Sequence, residues 1–150
     1  MSQEKFQVKE KEMPVTQIEA QNAFEKLKEP NTILIDVRSE AEFVFVGIPD
    51  LKNLILLPWR IFPGMALNQN FVTILEEKLK QNFGENRFES ELFFICRSGA
   101  RSQEAAVVMT EFGYKKCFNI VSGFEGDLDN LGHRGNINGW KAQNLNWRQT

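Results

Sequence analysis

Three short apolar runs stand out along the chain: residues 33–37 (ILIDV), 92–95 (LFFI) and 117–121 (CFNIV). They are continuous rather than alternating and rich in β-branched and aromatic side chains, which predicts strands covered on both faces, as in a parallel sheet. Between them the apolar residues recur at helical spacing. Thr16 and Glu19 stand as a capping box before Ile18, Phe24 and Leu27, predicting a first helix that ends by Pro30. Ser39 and Glu42 repeat the box directly after Arg38, predicting a short helix closed near Gly47. Ile48 and Pro49 lead to a further apolar run, NLILLPW, before Pro63 and Gly64 break the chain. Phe71, Ile74, Leu75 and Leu79 then predict a long helix up to the turn at Gly84. Ala105, Val108, Met109 and Phe112 predict another, with Gly113 as its left-handed C-terminal residue. Strands alternating with helices make this an α/β domain with a largely parallel sheet. From Ser122 onward, glycines at 123, 126, 132, 135 and 139 mix with Asp and Asn, predicting a long polar loop. Phe124, Trp140 and Trp147 in that stretch predict packing against the body rather than disorder.

A length of 150 residues fits one domain, assigned to residues 15–150 including the loop and tail 122–150, preceded by an N-terminal extension of residues 1–14. Apolar residues at 42% and charged residues at 25% are ordinary for a globular protein. A net charge of −2 gives no general attraction for nucleic acid. No stretch approaches the length of a membrane span, and the charged MSQEKFQVKEKEM has no signal-peptide character, so a cytoplasmic location is expected. Two cysteines in such a chain read as thiols in a reducing compartment.

Cys96 follows the strand 92–95 and precedes a helix, the place where open parallel sheets bind ligands. A loop bending from strand to helix N-terminus directs backbone N–H groups inward as an anion cradle, reinforced by the helix dipole. Arg97 and Arg101 add positive charge, Gly99 supplies a tight turn, and Ser98 and Ser102 offer hydroxyls, with Ser102 expected to cap the helix. Positive charge and a helix N-terminus favour the nucleophilic thiolate.

The motif CRSGARS is similar to the active-site signature of the rhodanese-like family. ILIDVRSEAEF resembles that family's first conserved strand-and-turn block, and EFGYKKCFNIVSGFEG its terminal strand and glycine turn. NGWKAQNLNW resembles the C-terminal segment of many single-domain bacterial members, so the likeness runs from about Val15 to the end. The resemblance implies a rhodanese-like sheet of about five strands with helices on both faces. It further implies a catalytic loop from Cys96 to Arg101 and ping-pong sulfur transfer of the thiosulfate sulfurtransferase type. Cys96 would take the outer sulfur of a small anionic donor such as thiosulfate, hold it as a persulfide, and pass it to a thiol, cyanide or protein acceptor. Backbone N–H groups of residues 97–102, including those of Ser98, Gly99, Ala100 and Ser102, would stabilise the persulfide. Arg97 and Arg101 would orient the donor. No metal or organic cofactor is implied. Where the family often has His-Ile-Pro-Gly, this chain has Gly47-Ile48-Pro49-Asp50.

Asp36 and Arg38 read as a structural pair near the site, Cys117 as a buried thiol, and His133, the single histidine, as a solvated loop residue that removes any multi-histidine metal site. Trp140 and Trp147 read as packing anchors, and Glu76, Glu77, Lys78 and Lys80 as a solvated helix face. Two other functions share these residues. A cysteine phosphatase, or an arsenate reductase, also uses a thiolate, an anion cradle and an arginine. Phosphatases place five residues between cysteine and arginine, whereas Cys96 and Arg101 enclose four, a smaller ring suited to sulfur. A non-enzymatic persulfide carrier or docking domain would keep the loop and leave the chemistry to a partner.

Overall fold

The computed structural model describes residues 14–150, so the N-terminal extension assigned to residues 1–14 lies outside the described residues except for Pro14. Strand β1 (Thr16–Ile18) precedes α1 (Ala20–Lys26), and β2 (Thr32–Asp36) precedes α2 (Glu40–Phe45). A short β3 (Ile48–Pro49) is followed by β4 (Leu54–Leu56), the hairpin strands β5 (Arg60–Ile61) and β6 (Ala66–Leu67), and α3 (Phe71–Phe83). A 3-10 turn (Gly84–Glu89) leads to β7 (Glu91–Ile95), α4 (Ala100–Glu111), β8 (Lys116–Ile120) and β9 (Trp147–Arg148).

The main sheet has five strands in the order β1-β8-β7-β2-β4, and every pairing in it is parallel. Side chains alternate across it with the two-residue period of a strand. Ile33, Ile35, Leu92, Phe94 and Cys117 face one core, filled by Phe71, Leu75 and Leu79 of α3 and Ala105, Ala106 and Met109 of α4. Leu34, Phe93, Ile95 and Ile120 face the other, covered by Ala20 and Ala23 of α1 and by Leu27 just after it. Helices therefore lie on both faces, but α1 is short and the tail completes its layer with Phe124, Trp140 and Leu145. Trp140 is fully buried, packs edge-on against Phe24 and donates its Nε1–H to the Asn146 carbonyl at 2.8 Å. Trp147 pairs with Pro49 where β9 meets β3 and lies beneath the Lys141 ammonium.

Two boundaries differ from the expected ones. Thr16 does not open the first helix: residues 16–18 form β1, paired with β8 from Thr16–Phe118 to Ile18–Ile120, and α1 begins at Ala20 with Glu19 as an N-cap lacking a side-chain bond. A three-residue edge strand shows no periodicity of its own, and its partner lies about a hundred residues away. The helix after Cys96 starts at Ala100, so Ser102 sits inside its first turn rather than at its cap, which is Gly99. By contrast Ser39 and Glu42 form a complete capping box on α2, and Gly113 adopts the left-handed conformation (φ 106°) after α4.

Candidate functional site

Sheet order creates the site. From β2 the chain passes outward to β4, whereas from β7 it passes the other way to β8, so the order reverses between β2 and β7. The helices following these strands leave a crevice at their carboxyl ends, the position at which open α/β sheets bind ligands. Cys96 lies there, one residue beyond β7, beside Val37, whose N–H bonds the Ile95 carbonyl at 2.9 Å.

The Cys96 side chain is 1% exposed; the Gly99 N–H donates to its sulfur at 3.1 Å, and the Ser102 oxygen lies 3.2 Å from it with a single proton that Asn119 also attracts. Of the loop amides expected to hold a persulfide, that of Gly99 bonds the thiol sulfur itself. The first N–H groups of α4 have no intrahelical acceptor and stand at the same end of that helix. Gly99 makes the geometry possible through φ 117°, and a Cβ there would lie 2.5 Å from the Val121 carbonyl.

The glycine turn after β8 braces the loop from behind. Phe124 N–H bonds the Cys96 carbonyl at 2.8 Å, and the N–H groups of Glu125 and Gly126 bond the Arg97 carbonyl at 3.0 and 3.2 Å. Gly123 permits the approach, since a Cβ there would fall 2.5 Å from the carbonyls of Cys96 and Arg97.

Sequence reasoning did not find Asn119. Its Oδ1 accepts from the Ser102 hydroxyl at 2.5 Å, while its Nδ2 donates to the Gly99 carbonyl at 3.2 Å and to Gln17 Oε1 at 2.9 Å. Asn119 thereby competes with the Cys96 sulfur for the one Ser102 hydroxyl proton and fixes the position of that oxygen. Nothing in an apolar strand motif marks one polar residue in this way.

Glu42 was read as a helix-capping residue alone, yet it also reaches across the crevice. The two terminal guanidinium nitrogens of Arg101 donate to its carboxylate, at 2.8 and 3.0 Å, while its Oε1 also accepts from the Ser39 N–H and hydroxyl. Arg101, expected to orient an anionic donor, bonds Glu42 through its two terminal nitrogens, and Glu42 matches its charge. Arg97 is exposed and has no such partner among the described residues. Ser98 is partly buried and Ala100 exposed at the start of α4.

The Glu42–Arg101 bridge couples stability to pH. Burial raises the Glu42 carboxyl, but the hydrogen bonds from Arg101 and Ser39 and the Arg101 charge outweigh it and bring the pKa from 4.5 down to about 2. A depressed carboxylate pKa contributes stability above the unfolded value, and that contribution is lost as pH falls from about 4.5 towards 2. At about 1.4 kcal/mol per unit the ceiling is roughly 3 kcal/mol. Denaturant unfolding should therefore show wild type losing more stability than Glu42→Gln between pH 6 and pH 3. Parallel losses in the two proteins would exclude the bridge in solution.

Asp36 and Arg38 form a fully buried ion pair, with Arg38 Nη1 left without a hydrogen-bond partner among the described residues. Arg38 Nη2 donates to Asp36 Oδ2 at 2.6 Å and to the Gly47 carbonyl at 2.8 Å, and its guanidinium stacks 4.1 Å from the Phe124 ring centroid. Burial pushes the Asp36 carboxyl above its ordinary range and Arg38 pulls it back. Cys117 is buried in β8 opposite Leu92, and burial raises its thiol to about 11. Cys96 lies four residues further along the neighbouring strand, roughly 13 Å away at 3.3 Å per residue, beyond the reach of a disulfide.

A cavity of about 810 Å³ opens beside the loop, reached by Arg97 and Arg101 but not lined by Cys96. Ser39, Glu42, Arg97 and Arg101 line it on the loop side, and Phe45, Phe62, Leu128, His133 and Arg134 lie on its remaining walls. His133 is exposed, as read, but stands at this opening; Trp140 and Trp147 do not line it.

Comparison with known proteins agrees with this architecture. A crystal structure of Rv0390 from M. tuberculosis superposes with a TM-score of 0.78 at 38% identity, covering 91% of this chain and 98% of that one. An uncharacterised protein of Rickettsia conorii is 36% identical over 140 residues, 91% of this chain and 99% of its own length. A thiosulfate sulfurtransferase of Haemophilus influenzae is 27% identical over 114 residues, 76% of this chain and 89% of its own. The family model for the rhodanese-like domain matches residues 19–129, and the chain belongs to the rhodanese-like family.

Proposed function

We propose that this protein is a sulfurtransferase that carries sulfane sulfur on Cys96. The Cys96 thiolate attacks the outer sulfur of thiosulfate; the donor's S–S bond breaks, its electron pair leaves with sulfite, and Cys96 holds the sulfur as a persulfide anion. A thiol, cyanide or a protein thiol then attacks the outer sulfur and regenerates the thiolate. Proton traffic is small and no cofactor enters.

The observation that carries this reading is the Gly99 N–H donating to Cys96 Sγ, with the Ser102 hydroxyl beside it, at the switch point of the sheet. Preorganised donors of this kind stabilise a charge that moves between thiolate and persulfide. The likeness to the Haemophilus thiosulfate sulfurtransferase supports thiosulfate as a donor. Occupation of the Arg101 fork by Glu42 weighs against a phosphatase or arsenate reductase, which need that fork for the oxyanion. Arg97 and the helix end are the remaining anion-orienting groups of the loop.

Intact mass after incubation with thiosulfate tests the proposal: one added sulfur atom, removed by cyanide, is expected, and an unmodified chain would overturn it. Ser102→Ala should lower turnover about tenfold to a hundredfold, the equivalent of a 1.5–3 kcal/mol hydrogen bond to a charged group. Steady-state kinetics with thiosulfate and cyanide reads this directly. A persulfide carrier is the second reading, favoured by the exposed Phe45, Phe62 and Leu128 around the opening. Stoichiometric loading without turnover on cyanide would select it.

A further inference from the structure

A chain of side-chain hydrogen bonds runs from Cys96 to the edge of the sheet. The Ser102 oxygen lies 3.2 Å from Cys96 Sγ and 2.5 Å from Asn119 Oδ1. Asn119 Nδ2 donates to Gln17 Oε1 at 2.9 Å, and Gln17 Nε2 donates to Gln103 Oε1 at 2.7 Å, which returns the chain to α4 one residue after Ser102. Ser102 and Asn119 are buried, whereas Gln17 is exposed on β1. A carboxamide buried in a strand costs free energy unless its polar atoms are paired, and both polar atoms of Asn119 are paired here.

Backbone carbonyls fix the direction of this chain. Asn119 Nδ2 also donates to the Gly99 carbonyl at 3.2 Å, and Gln17 Nε2 to the Val15 carbonyl at 3.4 Å. A carbonyl can only accept, so neither amide can be turned round. Asn119 Oδ1 therefore faces Ser102, and at 2.5 Å the two oxygens need a proton between them. Ser102 has one proton to give, and the Cys96 sulfur is the competing acceptor. Hydrogen bonds to an ionised acceptor are roughly twice as strong as those to a neutral one, so a thiolate draws the proton from Asn119 and an uncharged sulfur yields it back.

We infer that Asn119 is a positioning residue for sulfur transfer: it takes the Ser102 proton whenever Cys96 Sγ is uncharged, so that this hydroxyl supports the thiolate but not the inner sulfur of the persulfide. This rests on the proposed chemistry at Cys96. As the thiolate attacks thiosulfate, the Sγ–S bond forms and the donor's S–S bond breaks with its electron pair on sulfite. The negative charge of Cys96 passes to the outer sulfur, and the Ser102 proton turns to Asn119. When an acceptor removes the outer sulfur, the charge returns to Sγ and the proton follows it. A permanent donor would instead stabilise the attacking thiolate and blunt it, because nucleophilicity falls as a thiolate is stabilised. Asn119 acts only through Ser102, and Gln17 holds its amide in place from β1.

The test follows the two half-reactions of the full chain separately by intact mass, at a pH where loading no longer rises with pH: loading by thiosulfate, and unloading of the persulfide by cyanide. Asn119→Leu, close in size but without an acceptor, leaves the Ser102 proton on the sulfur throughout. Loading should slow about threefold or more and unloading should quicken about threefold or more, since a stabilised thiolate attacks more slowly and leaves faster. In a Ser102→Ala background the same substitution should change neither rate. Gln17→Ala, at an exposed position, loosens the amide without touching the core and should move both rates about twofold in those directions. Loss of structure alone would slow both half-reactions, so a folded Asn119→Leu that slows both, or alters neither, overturns the inference. Opposite changes that persist in the Ser102→Ala background overturn it as well. Should Asn119→Leu fail to fold, unchanged rates in Gln17→Ala overturn it instead. A wild-type chain that gains no sulfur from thiosulfate sinks the sulfur-transfer reading itself.

Discussion

Cys96→Ser should show no persulfide and no donor turnover above background, with the fold retained. Serine is nearly isosteric, and its oxygen can accept the same Gly99 and Ser102 hydrogen bonds that the sulfur receives, so the loop keeps its support. The hydroxyl, however, neither ionises near neutral pH nor holds a second sulfur, and the whole covalent route is lost. Cys117→Ala provides the comparison: it removes a thiol that burial keeps protonated and that lies at the other end of the adjacent strand, so loading by thiosulfate should persist. Intact mass and circular dichroism on both variants check this. Sulfur retained by Cys96→Ser, or lost in a folded Cys117→Ala, would assign the chemistry to the wrong thiol.

Gly99→Ala is expected to slow persulfide formation by about a hundredfold or more, the effect of displacing one preorganised donor. At φ 117° with the Val121 carbonyl 2.5 Å from the added methyl, the alanine cannot be accommodated in place. The loop must move, and the N–H that bonds the sulfur moves with it. Backbone strain of about 1–3 kcal/mol should also appear as lost stability. Gly84→Ala separates the two effects. Gly84 also has a positive φ, 67°, but a Cβ there meets nothing within 4 Å and the residue caps α3 away from the site. That variant should lose stability while the folded fraction keeps its rate, as read by single-turnover mass measurement alongside urea unfolding. Equal rate losses in the two variants would mean that global strain, not the loop, is responsible.

The legible parts of this protein are those with local causes. The ILIDV, LFFI and CFNIV runs become β2, β7 and β8 because a strand buried on both faces needs continuous apolar residues, and the spacing from Phe71 to Leu79 becomes α3 for the corresponding helical reason. Ser39 and Glu42 cap α2 within four residues of chain, and Gly113 ends α4 through its own backbone freedom. The placement of Cys96 at a strand end before a helix was equally local. Its enclosure by Gly99 and Ser102 follows from residues three and six positions away.

The sequence by itself determined the α/β alternation, the main helices and strands, and the loop from Cys96 to Ser102, since each depends on neighbours along the chain. Tertiary structure alone decided four things. Thr16–Ile18 became a strand because β8 offered an edge to pair with, overriding a plausible helix cap. Glu42 was drawn onto Arg101, 59 residues away, because the reversal of strand order sets α2 beside α4 across one crevice. Asn119 came to hold Ser102 because β8 neighbours β7, and the tail's Arg134 came to the opening through the fold of its loop. These are contacts between distant segments, and they exist only once strand order and packing have brought those segments together.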